Sequence, residues 1–216
     1  MAVAGTAADK RKIRGQESRS QILLSAVDRI AALGLGKLTL DRVAEHAGIS
    51  RGLVVFHFKS KDRLIEEVLQ FLTDEYDREW SAVVGQPGGD SLDKLLRLVD
   101  FDINYCFDNP LYIAAWHAFW GEARGNSMFK RVGLPTESKQ LSELDTVLAD
   151  MIREGGHSDE DMKMVSASLA VMLYGIWIDS HIDPRPFYRD IYRRSVRHYL
   201  SHVFPGHAVP LDLDKS

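Results

Sequence analysis

The 216 residues, 45% hydrophobic and 27% charged, suffice for one generous domain or a small one joined to a medium one, and they exclude a globally disordered chain. One cysteine, Cys106, excludes an internal disulfide framework, fits a reducing compartment and reads as plain packing. The net charge of −4 is unevenly shared: the first 63 residues hold 12 Lys and Arg against 6 Asp and Glu, leaving −10 for the rest. A basic head on an acidic body points to a polyanion-binding unit carried by one that stays off the polyanion.

Residues 1–15 are rich in Ala and Gly and then basic, without the apolar run of a secretory signal, and read as a disordered tail. Its basic run over 10–14 either reaches into a minor groove as an arm or stays solvated. From Ser18 the pattern turns helical, with Ile22, Ala26, Ile30 and Leu33 on one face and Gly34 and Gly36 as the stop. Thr39 is placed to cap a short helix over 40–46, with Asp41 in its first turn. The 47–49 segment, with Gly48 at its centre, makes a tight turn. Ser50 caps a helix over 51–56, and Ser60 caps a longer one over 61–84.

A Pro-Gly-Gly break at 86–90 precedes a helix over 91–107, which Asn109 and Pro110 end. A strongly apolar helix follows over 111–124. Residues 125–135 are ambiguous, because Gly125, Gly133 and Pro135 oppose a continuous helix. Further helices span 137–154, 159–181 (opened by a capping box of Ser158 and Asp161) and 187–204, with Pro184 and Pro186 between the last two. No convincing strand, repeat or low-complexity tract appears, so the class is all-α. The domain organisation reads as a tail (1–15), a three-helix helix-turn-helix domain (16–63), a larger ligand-binding and dimerisation domain (64–204) and a second disordered tail (205–216).

The informative stretch is TLDRVAEHAGISRGLVVFHFKSKDRL, Thr39 to Leu64. Two short helices joined by a glycine turn form a helix-turn-helix, whose second helix fits the major groove. The residue order resembles the DNA-binding domain of the TetR family of bacterial repressors. The long first helix, the Thr before the second, Val-Ala-x-x-Ala-Gly-Ile-Ser, the Gly after it, the aromatic end of the third helix and Phe-x-Ser-Lys-x-x-Leu carry that resemblance. It implies a DNA contact set of Thr39, Ser50, Arg51, Gly52, Leu53, His57 and Lys61. Thr39 and Ser50 present cap hydroxyls and free amides to phosphates. Arg51 and Leu53 start the recognition helix, and Gly52 lets its backbone come close. His57 stands where the family touches a phosphate. Lys61 is a cation at a helix N-terminus, unfavourable by a few tenths to ~1 kcal/mol unless a phosphate sits there. Phe58 and Leu64 are expected in the core. Val55 departs from the pattern, replacing a tyrosine that commonly meets the backbone; Arg51 or the tail would then compensate.

The acidic body is aromatic. Residues 111–120 carry no Lys, Arg or carboxylate, and 165–178 are apolar nearly all round, which requires cover on every face. The latter run falls short of the ~20 residues of a membrane span. The small residues Ser166, Ala170 and Gly175, with a stripe on the final helix, predict a four-helix homodimer interface. Ala115, Ala118, Phe119 and Trp120, with Gly175 to Trp177, more loosely resemble the choline-responsive repressors of the glycine-betaine pathway. That resemblance implies a small cationic or zwitterionic effector. Tyr105, Trp116, Phe119, Trp120, Tyr174 and Trp177 are the pocket candidates, each of which reads equally as core. Asp102, Glu122 or Asp179 would balance the charge.

Other chemistry fails on spacing. Residues 34–39 lack a P-loop's pattern and follow a helix. His198 and His202 lack the Glu of a metalloprotease motif, and His181 with Asp179 and Asp183 reads as a helix end. No nucleophile elbow occurs. No catalytic residue, metal or cofactor is expected. The sequence therefore reads as a cytoplasmic homodimer binding a palindromic duplex through its head and released by a small-molecule effector, without a membrane role. A constitutive DNA-binding regulator is the alternative, and a helical enzyme with an incidental helix-turn-helix a more distant one.

Overall fold

The computed structural model describes residues 7–155 and 159–211. Among them the chain forms α1 (Ala7–Leu33), α2 (Leu40–Ala47), α3 (Arg51–Phe58), α4 (Lys61–Val84), α5 (Ser91–Asp108), α6 (Pro110–Glu122), α7 (Ser127–Gly155), α8 (Asp159–Ile182) and α9 (Tyr188–Val203), and no strand. The all-α class read from the sequence holds for these residues.

The helix ends follow local chemistry. Gly34 (φ 76°) stops α1, and Gly48 (φ 65°) closes α2 with its amide on the Ala44 and Glu45 carbonyls, a left-handed turn that glycine adopts without strain. The side chains of Thr39, Ser50 and Ser60 accept from the amides of Arg42, Leu53 and Arg63 at 3.2, 3.3 and 3.1 Å. Asp90 and Asp93 form a reciprocal capping box at α5. Pro110 opens α6, where its missing N–H costs nothing.

Three expectations need correction. Residues 7–15, read as a disordered tail, belong to α1; Ala7, Ala8, Lys10, Arg11, Lys12 and Arg14 are good helix formers, and Ser18 Oγ bonds the Arg14 carbonyl at 2.9 Å. The ambiguous stretch before 137 is largely helix, because Asn126 Oδ1 accepts from the Met128 and Phe129 amides and starts α7 ten residues early. Gly133 sits under the Phe129 ring, where a Cβ would come within 3.1 Å, and Pro135 is accommodated inside the helix. In the second tail, Val209 is buried and Arg197 bonds the Pro210 carbonyl. The proposed box at Ser158 lies outside the described residues.

The chain divides into two compact units, the first of residues 1–73 and 114–133 and the second of 74–113 and 134–216. The boundary thus falls ten positions beyond residue 63, inside α4 at Thr73 and Asp74, with α6 and α7 also shared. In the first unit α1, α2 and α3 pack through Ile22, Ala26, Ile30, Leu38, Val43 and Val54, and Phe58 and Leu64 are buried as expected. Arg19 lies 5.3 Å over the Phe58 ring and pairs with Glu67. Glu66, gripped by Arg63 and Arg131 at 2.8 and 2.5 Å, ties α4 to the start of α7; those guanidinium bonds hold its carboxyl below the usual range.

In the second unit α5 packs on α8 and α9. Asp100 on α5 receives Arg193 and Arg197 of α9 at 3.2 and 2.6 Å. On α8 the buried Val165, Leu169, Ile176 and Trp177 face inward, whereas Met164, Val171, Tyr174, Ile178 and Ile182 form an exposed apolar stripe on the opposite side. The expectation that this stretch is too short to span a bilayer counted only the uncharged run. Residues 161–182 as a whole are long and apolar enough by length and composition, a test that a half-covered helix of a globular protein also passes.

Candidate functional site

Two sites emerge, one in each unit. In the first, the side chains on α3 sort by angle. Val54 and Phe58 turn into the core, while Arg51, Gly52 and Phe56 are exposed on the other side with Val55 half-buried among them; Lys59, the C-cap that follows α3, is exposed as well. Thr39 and Ser50 sit exposed at the two cap positions. Arg51 Nε pairs with Asp41 at 3.0 Å, fixing the start of α3 against the first turn of α2. Leu53 and His57 are half-buried. Burial, then Arg19 and Lys59, pushes the His57 imidazole below its ordinary value, so it is held neutral. Lys61 Nζ bonds the Gly36 carbonyl at 3.1 Å. This bond gives the cation a partner inside the protein, beside the phosphate role read from the sequence. Phe56, 67% exposed, is the side chain of this face that the sequence reading passed over.

The second site surrounds Asp102 on α5, which is buried at the centre of an aromatic cluster. Tyr76 of α4 donates its hydroxyl, and Trp177 of α8 its indole N–H, to the same oxygen, Oδ1, at 2.5 and 3.0 Å. Tyr105 stacks on Trp177 at 5.8 Å between ring centres and meets the Tyr76 ring edge-on at 4.8 Å. Phe101 and Trp80 complete the cluster against Tyr76 at 5.5 and 6.1 Å, and Trp80 Nε1 is held by Glu143 at 2.6 Å. Burial pushes the Asp102 carboxyl up to about 6, even though the two donors favour its charged form. The Tyr105 hydroxyl is buried without a hydrogen-bond partner among the described residues, a state that calls for an explanation.

Of the six pocket candidates, Tyr105 and Trp177 come together here. Tyr174, on the exposed side of α8, is 41% exposed; burial and then the Glu137 and Asp102 carboxylates raise its phenol. Trp116, Phe119 and Trp120 belong to the first unit, where Trp116 and Phe119 are buried and the two indoles lie 6.1 Å apart. Of the three candidate counter-charges, Asp102 is the one among the rings. Glu122 is exposed in the first unit, and Asp179 receives the Tyr192 hydroxyl. Tyr76, Trp80 and Phe101 were missed.

Residues 22–68 match the family model of the bacterial regulatory proteins of the tetR family, and residues 93–205 that of the BetI-type transcriptional repressor, C-terminal. The chain belongs to the TetR family, in its BetI-type branch. TetR-family members are DNA-binding transcriptional regulators. The HTH-type transcriptional regulator BetI of Escherichia coli is 22% identical over 188 residues, covering 87% of this chain and 94% of that protein. A transcriptional regulator from Pseudomonas aeruginosa shares the fold with a TM-score of 0.76 at 21% identity, over 88% of this chain and 92% of the other. So does a transcriptional regulator from Saccharomonospora viridis in complex with choline, with a TM-score of 0.74 at 20% identity over 87% and 97% of the two chains.

Proposed function

We propose that this TetR-family repressor acts in the cytoplasm as a homodimer on a palindromic operator, and that a small cation of the quaternary-amine class releases it. The observation that carries the effector class is the carboxylate of Asp102 enclosed by Tyr76, Trp80, Phe101, Tyr105 and Trp177. Aromatic faces attract a quaternary ammonium within about 6 Å of their centres, and a desolvated carboxylate balances its charge. Tyr76 and Trp177 both donate to Oδ1, so Oδ2 would be the oxygen for the cation. The unpartnered Tyr105 hydroxyl would bond a polar group on the same ligand. The choline held by the S. viridis regulator agrees with this class.

The exposed stripe of α8 supplies the apolar surface for a partner subunit in this reading, which requires two recognition helices one turn of duplex apart. Tyr76 and Lys61 lie on the same helix, α4, which makes α4 the lever. Effector and operator would then oppose each other's binding thermodynamically. The test is fluorescence anisotropy of the purified chain on its operator duplex, titrated with choline and with tetramethylammonium. Both should release the DNA, and Asp102→Asn should respond to neither. Operator binding indifferent to every amine would leave a constitutive regulator, and a monomer without duplex preference would remove the reading altogether.

A further inference from the structure

The exposed face of α3 has an unusual composition for a helix that reads bases. At 100° per residue, Arg51, Val55, Gly52 and Phe56 fall in that angular order within one arc, and Lys59 follows the last turn as the C-cap (φ 65°). Arg51 stands at the edge of this arc and Lys59 past its last turn, while Val55, Gly52 and Phe56 offer no side-chain donor or acceptor. Both cations already have acceptors within the protein: Arg51 is paired with Asp41, and Lys59 Nζ bonds the Phe56 carbonyl at 2.9 Å while lying 5.3 Å from the Phe56 ring. Phe56 is two-thirds exposed although Val54 and Phe58 beside it are fully buried, so its ring serves no packing role in the core. Gly52 is not glycine for internal reasons either. A Cβ there would meet only Ser50 Oγ, at 3.8 Å, so the missing side chain lowers the surface next to the Phe56 ring.

We infer that Val55 and Phe56 read thymine through its C5 methyl group, so that each operator half-site carries thymine under the Phe56 ring. This rests on the reading of α3 as the recognition helix. The major groove presents one apolar feature, the thymine methyl, and side chains without hydrogen-bonding groups discriminate there by apolar contact. Arg51 and Lys59 set the register on the flanking phosphates, and the apolar centre supplies the sequence information.

The test begins with duplexes selected by the wild-type chain from a random pool, the preferred site being resynthesised with deoxyuridine at each thymine in turn. Deoxyuridine keeps the pairing and removes only the methyl. At one or two positions in each half-site the wild type should bind about fourfold more weakly, the loss expected for one buried methyl group. Replacing that base pair with 5-methylcytosine–guanine should bind more tightly than cytosine–guanine. Phe56→Ala should lose this sensitivity at the same positions, and Phe56→Leu, which keeps an apolar side chain if the alanine variant fails to fold, should retain it. A wild type indifferent to deoxyuridine at every position, or a selected site without thymine, overturns the inference and leaves the repressor reading standing. Recovery of no preferred duplex overturns both.

Discussion

Replacing Asp102 by Asn should stabilise the protein at neutral pH while abolishing its response to cations. Asparagine keeps the carbonyl oxygen that accepts from Tyr76 and Trp177 and removes the buried charge. Holding a carboxyl at about 6 instead of its ordinary 3.8 disfavours the ionised form by roughly 3 kcal/mol. Between those two values the folded wild type binds more protons than the unfolded chain, so this contribution to stability is full below the lower value and is lost as pH rises through about 6. The variant lacks that loss. Its new amide must also find an acceptor, which lowers the expected gain to about 1–3 kcal/mol near pH 7.5. Near pH 4.5 the wild-type group is itself neutral, and the gain should shrink toward zero. Urea unfolding at both pH values, at one fixed protein concentration, reads the difference directly. A variant less stable than wild type near pH 7.5, or an advantage that does not change between the two, would refute the claim that burial of charge dominates at Asp102.

On the proposed reading the same carboxyl would set the pH dependence of effector binding. Calorimetry with tetramethylammonium should give affinity roughly tenfold weaker near pH 5 than near pH 7.5, because Asp102 is then mostly protonated; a flat profile means another group holds the cation. Val171→Glu combined with Ile178→Glu places carboxylates on the exposed stripe of α8, and sedimentation should find monomers with unchanged helix content. A persistent dimer would put the interface elsewhere. Operator affinity should fall steeply with salt, and Lys61→Ala should flatten that slope by about one unit. An unaltered slope would mean that Lys61 stays on the Gly36 carbonyl when DNA is bound.

The helix-turn-helix was legible because its signals are local. Thr39, Ser50 and Ser60 cap by hydrogen bonds three residues long, and Gly48 turns the chain in place. The aromatic cluster was only half legible because it assembles from three helices far apart in sequence. Tyr76 and Trp80, one turn apart on α4, have only the spacing of an ordinary apolar stripe. A signal did exist in α5: Asp102 interrupts the buried face made by Leu95, Leu98, Val99, Ile103 and Cys106, and a carboxylate on such a face needs a partner. The run around Trp116 falls in the other unit, because local richness in aromatics says nothing about which unit a helix joins. The start of α7 was hidden by Gly133 and Pro135, whose cost Asn126 and the Phe129 ring offset from nearby.

The intramolecular acceptors on the reading head carry a kinetic consequence. Arg51, Lys59 and Lys61 are held by Asp41, the Phe56 carbonyl and the Gly36 carbonyl. In the proposed complex their side chains would reach a duplex with part of their conformational entropy already lost, which would favour rapid, well-oriented capture. In the proposed complex Arg51 would also give up an anion in order to take one, so the number of counterions it displaces from DNA would be smaller than its formal charge implies.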